Sequence, residues 1–209
     1  LNDAVKHFQL VLDQCPVGHP HQAAALTNLV RARLEGYIQN DLRDINSITS
    51  LFHEALALRP CPKGHSEHNV YLNNLALSLN YRFDHQSNSR DFDNIIRSIS
   101  LQREALMLHP PGNPYRDNTV NNFALALKTR YDKLDASEDL DETINLFKDS
   151  LRLRPHGHPG RHITIVSLSS ALCCRFTHTR KNEDVEEAIR LCQESLEALP
   201  SLHPDRYFS

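Results

Sequence analysis

Eleven prolines stand in five short windows of the chain: 16 and 20; 60 and 62; 110, 111 and 114; 155 and 159; 200 and 204. The first prolines of successive windows are 44, 50, 45 and 45 residues apart. Proline has no N–H to donate and its ring collides with the preceding helical turn, so each window ends whatever helix reaches it. Breakers at near-constant spacing require one unit that recurs, with a period in the range of helical solenoids. Four of the six glycines, Gly18, Gly64, Gly112 and Gly157, fall in the same windows, where the chain needs a permissive backbone.

Between windows the apolar residues recur at helical spacing. One stripe precedes each proline: Leu140, Thr143, Ile144, Phe147, Ser150 and Leu151 before Pro155, and Val185, Ala188, Ile189, Cys192, Ser195 and Leu196 before Pro200. Offsets of 3, 4, 7 and 11 draw one face of an α-helix, here named helix B. Acidic residues gather at its start, as in Asp139, Asp141 and Glu142, where carboxylates suit the positive end of the helix dipole. A second helix, A, follows each window. Leu72, Leu75, Ala76, Leu79 and Phe83 align with Val120, Phe123, Ala124, Leu127 and Tyr131, and again with Ile165, Leu168, Ser169, Leu172 and Phe176. The first copy has Arg33 where the others carry leucine. Small residues at 76, 124 and 169 predict a close approach of paired helices. The polar stretches DHQSNSR, DKLDASE and THTRKNE after each helix-A aromatic predict long solvated loops.

The expected fold class is therefore all-α, an α-α superhelix of antiparallel hairpins in which each hairpin buries its stripe against its neighbours. The expected organisation is a single array over 1–209. Helix B of a truncated repeat occupies 1–16, four repeats occupy 20–60, 66–110, 114–155 and 159–200, and a further repeat starts at 201–209. The first residue is Leu1 rather than methionine, so the chain is expected to be a fragment of a longer protein.

Composition bears on partners. Lys and Arg number 23 against 26 for Asp and Glu, a net charge of −3, which lacks the basic excess that nucleic-acid binding needs. No apolar run approaches the roughly 18–20 residues of a membrane span. Thirteen histidines include an HxHxxxH run at His156, His158 and His162, a spacing that zinc ligands can use. Yet His19, His65, His158 and His203 each fill the same loop position, so loop packing explains them better and no metal or cofactor is expected. The five cysteines form no CxxC pair, consistent with reduced thiols and a cytoplasmic setting. No nucleophile elbow, phosphate loop or paired-carboxylate motif is present, so no enzymatic activity and no catalytic residue are expected.

The segments YLNNLALSL (71–79) and VNNFALALK (120–128), with the ALxLxP end of helix B, resemble tetratricopeptide repeats (TPRs). The period and the loops PVGHP, PHGHPGR and LHPDR resemble the long-period, kinesin-light-chain-like type, as in fungal arrays that lie beside CHAT protease or NTPase domains. Val166-Ser167 depart from the asparagine pair of the other copies. The resemblance implies that helices A line a concave groove for a peptide or partner domain, including another domain of the same parent protein. A turn of 100° per residue from the buried stripe places Thr27 and Arg31 on the groove flank, with Leu34. The following copies are Asn73, Leu77 and Asn80, then Asn121, Leu125 and Lys128, then Val166, Ser170 and Cys173.

Amides there suit a peptide backbone, leucines an apolar anchor, and Arg31 or Lys128 a carboxylate. Alternatively, Asn73 and Asn121 solvate the face or satisfy neighbouring helix ends. Asn28, Asn74 and Asn122 are expected to bridge packed helices. Arg82, Arg130 and Arg175, on the opposite flank with acidic helix-B starts nearby in sequence, are expected to form structural ion pairs or C-terminal helix-dipole contacts rather than a phosphate-reading row. The leading functional expectation is a protein-interaction module. The alternative is a scaffold that self-assembles by end-to-end or dimeric stacking, and a metal- or redox-dependent regulator ranks third.

Overall fold

A computed structural model of the chain describes residues 2–16, 19, 21–40, 45–58, 66–86 and 92–198. Pro60, Pro62, Gly64, His65 and the 201–209 stub lie outside the described residues. Among the described residues there are nine α-helices and no strand. They are α1 (Asn2–Asp13), α2 (Gln22–Asn40), α3 (Ile45–Leu58), α4 (Ser66–Gln86), α5 (Phe92–Leu108), α6 (Arg116–Leu134), α7 (Asp139–Leu153), α8 (Arg161–Thr179) and α9 (Asn182–Ala198). Helices α2, α4, α6 and α8 carry the A stripe, and α3, α5, α7 and α9 the B stripe.

The chain forms two compact units, 1–108 and 109–209. In the first, each helix packs on the next in chain order, and α2 also touches α4. Its core joins Leu26, Val30 and Tyr37 of α2, Ile48 and Phe52 of α3, and Leu75 and Leu79 of α4. In the second unit α6 packs on α7, α7 on α8 and α8 on α9, while α6 also meets α8. Ile144 and Phe147 of α7 there lie against Leu168 and Leu172 of α8. Phe147 is fully enclosed, a position where truncation to alanine costs about 3–5 kcal/mol. Ala76 and Ala124 are also fully buried. At Ala76 the backbones come close enough for Ser98 Oγ on α5 to donate to its carbonyl at 2.7 Å.

Three local expectations change. Helix A runs past its aromatic, so Asp132–Leu134 and Thr177–Thr179 are helical and the links to helix B shrink to 135–138 and 180–181. Asp135 (φ 52°) and Arg180 (φ 56°) end these helices in the left-handed region, and their N–H groups donate to Tyr131 O and Phe176 O. That arrangement satisfies a carbonyl of the last turn without a loop. Arg33 keeps its leucine-position backbone in the helix and sends Nη2 to Gln9 Oε1 on α1 at 3.1 Å, while Leu34 takes the buried place. Ile189 is 53% exposed although its α7 counterpart Ile144 is buried. Helix α8 covers Ile144, and among the described residues no helix follows α9 to do the same.

Candidate interaction surface

Three of the five proline windows, the first in part, lie among the described residues and fold into one repeated turn. The N–H of His19, Asn113 and His158 donates to the carbonyl of Pro16, Pro110 and Pro155 respectively, at 2.9–3.1 Å. Gly112 (φ 91°) and Gly157 (φ 85°) occupy the third place of that turn, where the left-handed backbone favours glycine. The same three residues then start helix A, their carbonyls accepting from Gln22, Arg116 and Arg161. Their side chains serve a second purpose. His19 Nδ1 accepts from His21 N at 3.2 Å, Asn113 Oδ1 from Tyr115 N at 2.9 Å, and His158 Nδ1 from Gly160 N at 3.1 Å. The recurring histidine thus presents a ring nitrogen as acceptor at a helix start, a task asparagine performs equally in the third window. No group of three His, Cys, Asp or Glu among the described residues is arranged to hold a metal ion.

In two of the windows, the residue before the first proline, His109 or Arg154, is a polar hub that sequence reasoning missed. Arg154 is buried: Nε lies 2.9 Å from Asp117 Oδ2, Nη1 donates to Thr164 Oγ1 at 2.7 Å, and Nη2 donates to Asn118 Oδ1 at 2.7 Å. One guanidinium thus joins the starts of α6 and α8. His109 holds the same place one period earlier, with Nδ1 2.8 Å from Thr119 Oγ1. Its Nε2 is buried without a partner. Burial and the nearby Arg116 hold its pKa below the ordinary histidine value. The sequence signal was present: Thr119 and Thr164 are one period apart, as are His109 and Arg154 and also Arg116 and Arg161.

Two of the three arginines near the ends of helix A, Arg130 and Arg175, form ion-pair rungs as expected. Arg130 takes both carboxylate oxygens of Asp139 at 2.5 Å. Arg175 takes both oxygens of Asp184 at 3.0 and 2.6 Å and reaches Asp141 at 2.7 Å. The Arg175 hydrogen bond holds the Asp184 carboxyl below its usual range. Arg82 meets Asn94 instead, through Nη2 alone, and its Nε is buried without a partner. These side chains are committed to the scaffold and unavailable for a phosphate row.

On the helix-A flank the residues divide. Arg31 is exposed, 3.9 Å from Glu35. Thr27, Asn73, Leu77 and Leu125 are half-buried, and the two leucines pack on the cores of their units. Asn80 is buried, with Oδ1 lacking a partner. Asn121 is also buried, and its Oδ1 accepts from Thr164 Oγ1 at 3.0 Å, so it braces α6 against α8. Leu34 is buried too. Lys128 is largely covered, its Nζ 2.6 Å from Asp132 Oδ1 and lying over the Tyr131 ring. Asn28 is exposed and Asn74 and Asn122 half-buried, so in α2 and α6 the outward line passes closer to Asn28 and Asn122 than to Thr27 and Asn121. On α2 that line runs Asn28, Arg31, Glu35 and Ile38, all exposed.

Cys15, Cys173, Cys174 and Cys192 are free thiols, and burial pushes the Cys173 pKa up. No described helix is long and apolar enough to cross a membrane.

No protein-family model and no curated sequence matches this chain. Among solved structures, it is similar to a crystallised kinesin-light-chain-type protein of nearly identical TPR-like repeats from Podosopora anserina. The two share 14% identity over 94% of this chain and 88% of that one, with a TM-score of 0.61. Paired helices, a recurring turn and that likeness together give the chain the fold of a TPR-like helical repeat.

Proposed function

We propose that this chain is a protein-interaction module whose helix-A face receives a peptide or a partner domain. The observation that supports this reading is adjacency. Helices A neighbour one another within each unit, α2 beside α4 and α6 beside α8, so their outward residues form rows. Arg31 and Leu77 belong to one row, Leu125 and Ser170 to the other. In the first unit the exposed Arg31 offers a charged partner for a carboxylate and the half-buried Leu77 an apolar seat, and in the second unit Leu125 offers such a seat. The fungal resemblance extends this to regulation of an adjacent effector domain in cis. Asn121, Asn80 and Lys128 belong in this proposal only as supports, since their polar groups are buried or already engaged.

A variant with Arg31→Glu and Asn73→Ala, retaining the wild-type circular dichroism spectrum, is the test. A partner captured by the wild-type chain is expected to be lost from the variant. Retention of every partner by the variant overturns the reading.

The scaffold alternative draws on Leu10 of α1 and Ile189 of α9, both more than half exposed. Sedimentation separates the two. A monomer at about 100 μM, far above a micromolar dissociation constant, removes self-assembly as the main role.

A further inference from the structure

A groove of about 400 Å³ lies in the second unit between α7, α8 and α9, away from the outward row of helix A. Leu151 and Pro155 line it, with Leu168 and Leu191 beneath. Four cations border it, Lys148, Arg152, Arg161 and Arg190, against two anions, Glu187 and Glu194.

The anions are spoken for. Lys148 Nζ meets Glu187 Oε2 at 2.7 Å, and Arg161 meets Glu194 Oε1 through two nitrogens at 2.9 and 2.6 Å. What remains is an unbalanced pair of exposed arginines. Arg152 is held only by its exposed helix neighbour Asp149, an ion pair of little worth in water. Arg190 has no carboxylate partner among the described residues.

The other copies argue that these two arginines are not there for the scaffold. Arg161 repeats as Arg116, and both donate to the carbonyl of the residue before the window proline. Arg152 corresponds instead to Ala57 and Met107, and Arg190 to Ser100 and Asn145. Helix B therefore forms without either cation. The 199–209 segment carries one acid, Asp205, and one base, Arg206, and so no net charge opposite to the two arginines.

We infer that this groove docks an acidic peptide segment bearing an apolar side chain, with Arg152 and Arg190 receiving the carboxylates and Leu151 and Pro155 the apolar group. A volume of this size holds a few side chains. Bidentate guanidinium–carboxylate contacts supply direction, and the apolar floor supplies water exclusion. The site is independent of the helix-A reading and survives its failure.

The test is fluorescence anisotropy of the 209-residue chain with a short labelled peptide of glutamates flanking one leucine. A matched peptide with lysines in place of the glutamates is the control. Saturable binding of the acidic peptide alone is expected, weakened about tenfold or more by Arg152→Glu with Arg190→Glu. The binding should fall as salt is raised. Arg31→Glu should leave it unchanged. Both groove arginines are exposed, so melting temperature should hold, and Arg152→Gln with Arg190→Gln is the milder check. Absence of binding at about 1 mM peptide, equal binding of the lysine peptide, or indifference to both arginine variants overturns the inference. So does binding abolished by Arg31→Glu. Dimerisation of the wild type that the groove variant abolishes also overturns it, by making a second copy the occupant.

Discussion

Arg154 and Asp117 form an ion pair of 2.9 Å with both side chains almost wholly enclosed, linking the end of α7 to the start of α6. The pair is kept by company: Thr164, Asn118 and the Gly160 carbonyl take three of the guanidinium's four other N–H donors. Removing one partner leaves a buried charge uncompensated. Asp117→Ala is expected to lower stability by about 3 kcal/mol in urea denaturation. A loss below about 1 kcal/mol, the worth of an exposed pair, contradicts the hub.

The incomplete rung at Arg82 is an opportunity for repair. Asn94 offers one oxygen where Asp139 and Asp184 offer two, and Arg82 Nε stays unpaired. Asn94→Asp should complete the fork and raise stability by about 1 kcal/mol, read as an increase in Tm. It also gives a carboxylate to Arg82, one of the two arginines that, after burial, hold the His53 pKa down. An unchanged or lower Tm contradicts the rung.

The loop histidine acts through an acceptor nitrogen. His158→Ala should cost about 0.5–1.5 kcal/mol, the net worth of its hydrogen bond from the Gly160 N–H. His158→Asn should cost little, because Asn113 already does this work in the preceding turn. Equal losses for both substitutions refute the turn-bracing role and reopen the metal reading.

Acid should weaken the fold in two windows. His109 is held below its ordinary 6.5, so the unfolded chain takes up its proton first. Stability from His109 is present above pH 6.5 and declines as pH falls through the folded value. His53 acts in the same direction. Asp184, held below its ordinary 3.8, adds stability that is lost only as pH falls below that value. Urea midpoints between pH 7 and 5 should decline in the wild type and decline less in His109→Gln. A midpoint that is flat or rises across that interval contradicts the assignment.

The hairpins are legible in the sequence because burial follows local periodicity: Ile144, Phe147, Leu168 and Leu172 lie where a 100° turn places them. What spacing leaves out is which neighbour covers a residue. Ile189 shares its helix position with Ile144, but among the described residues no helix follows α9 to cover it. Asn121 lies near the edge of the stripe, where a small rotation separates an open amide from one bonded to Thr164. The ends of helix A were hidden for another reason. Asp135 and Arg180 adopt a left-handed backbone without being glycine, so no residue type marks the stop. The Arg130 and Arg175 rungs were legible because charge and sequence distance both point to Asp139 and Asp184.

Hydrogen–deuterium exchange of the chain with and without a captured partner tests the helix-A proposal most directly. The account predicts slowed exchange along α2 and α4, or α6 and α8, at segments holding Arg31, Leu77, Leu125 and Ser170. Slowed exchange confined to α3, α5, α7 and α9 would place the partner elsewhere and contradict it.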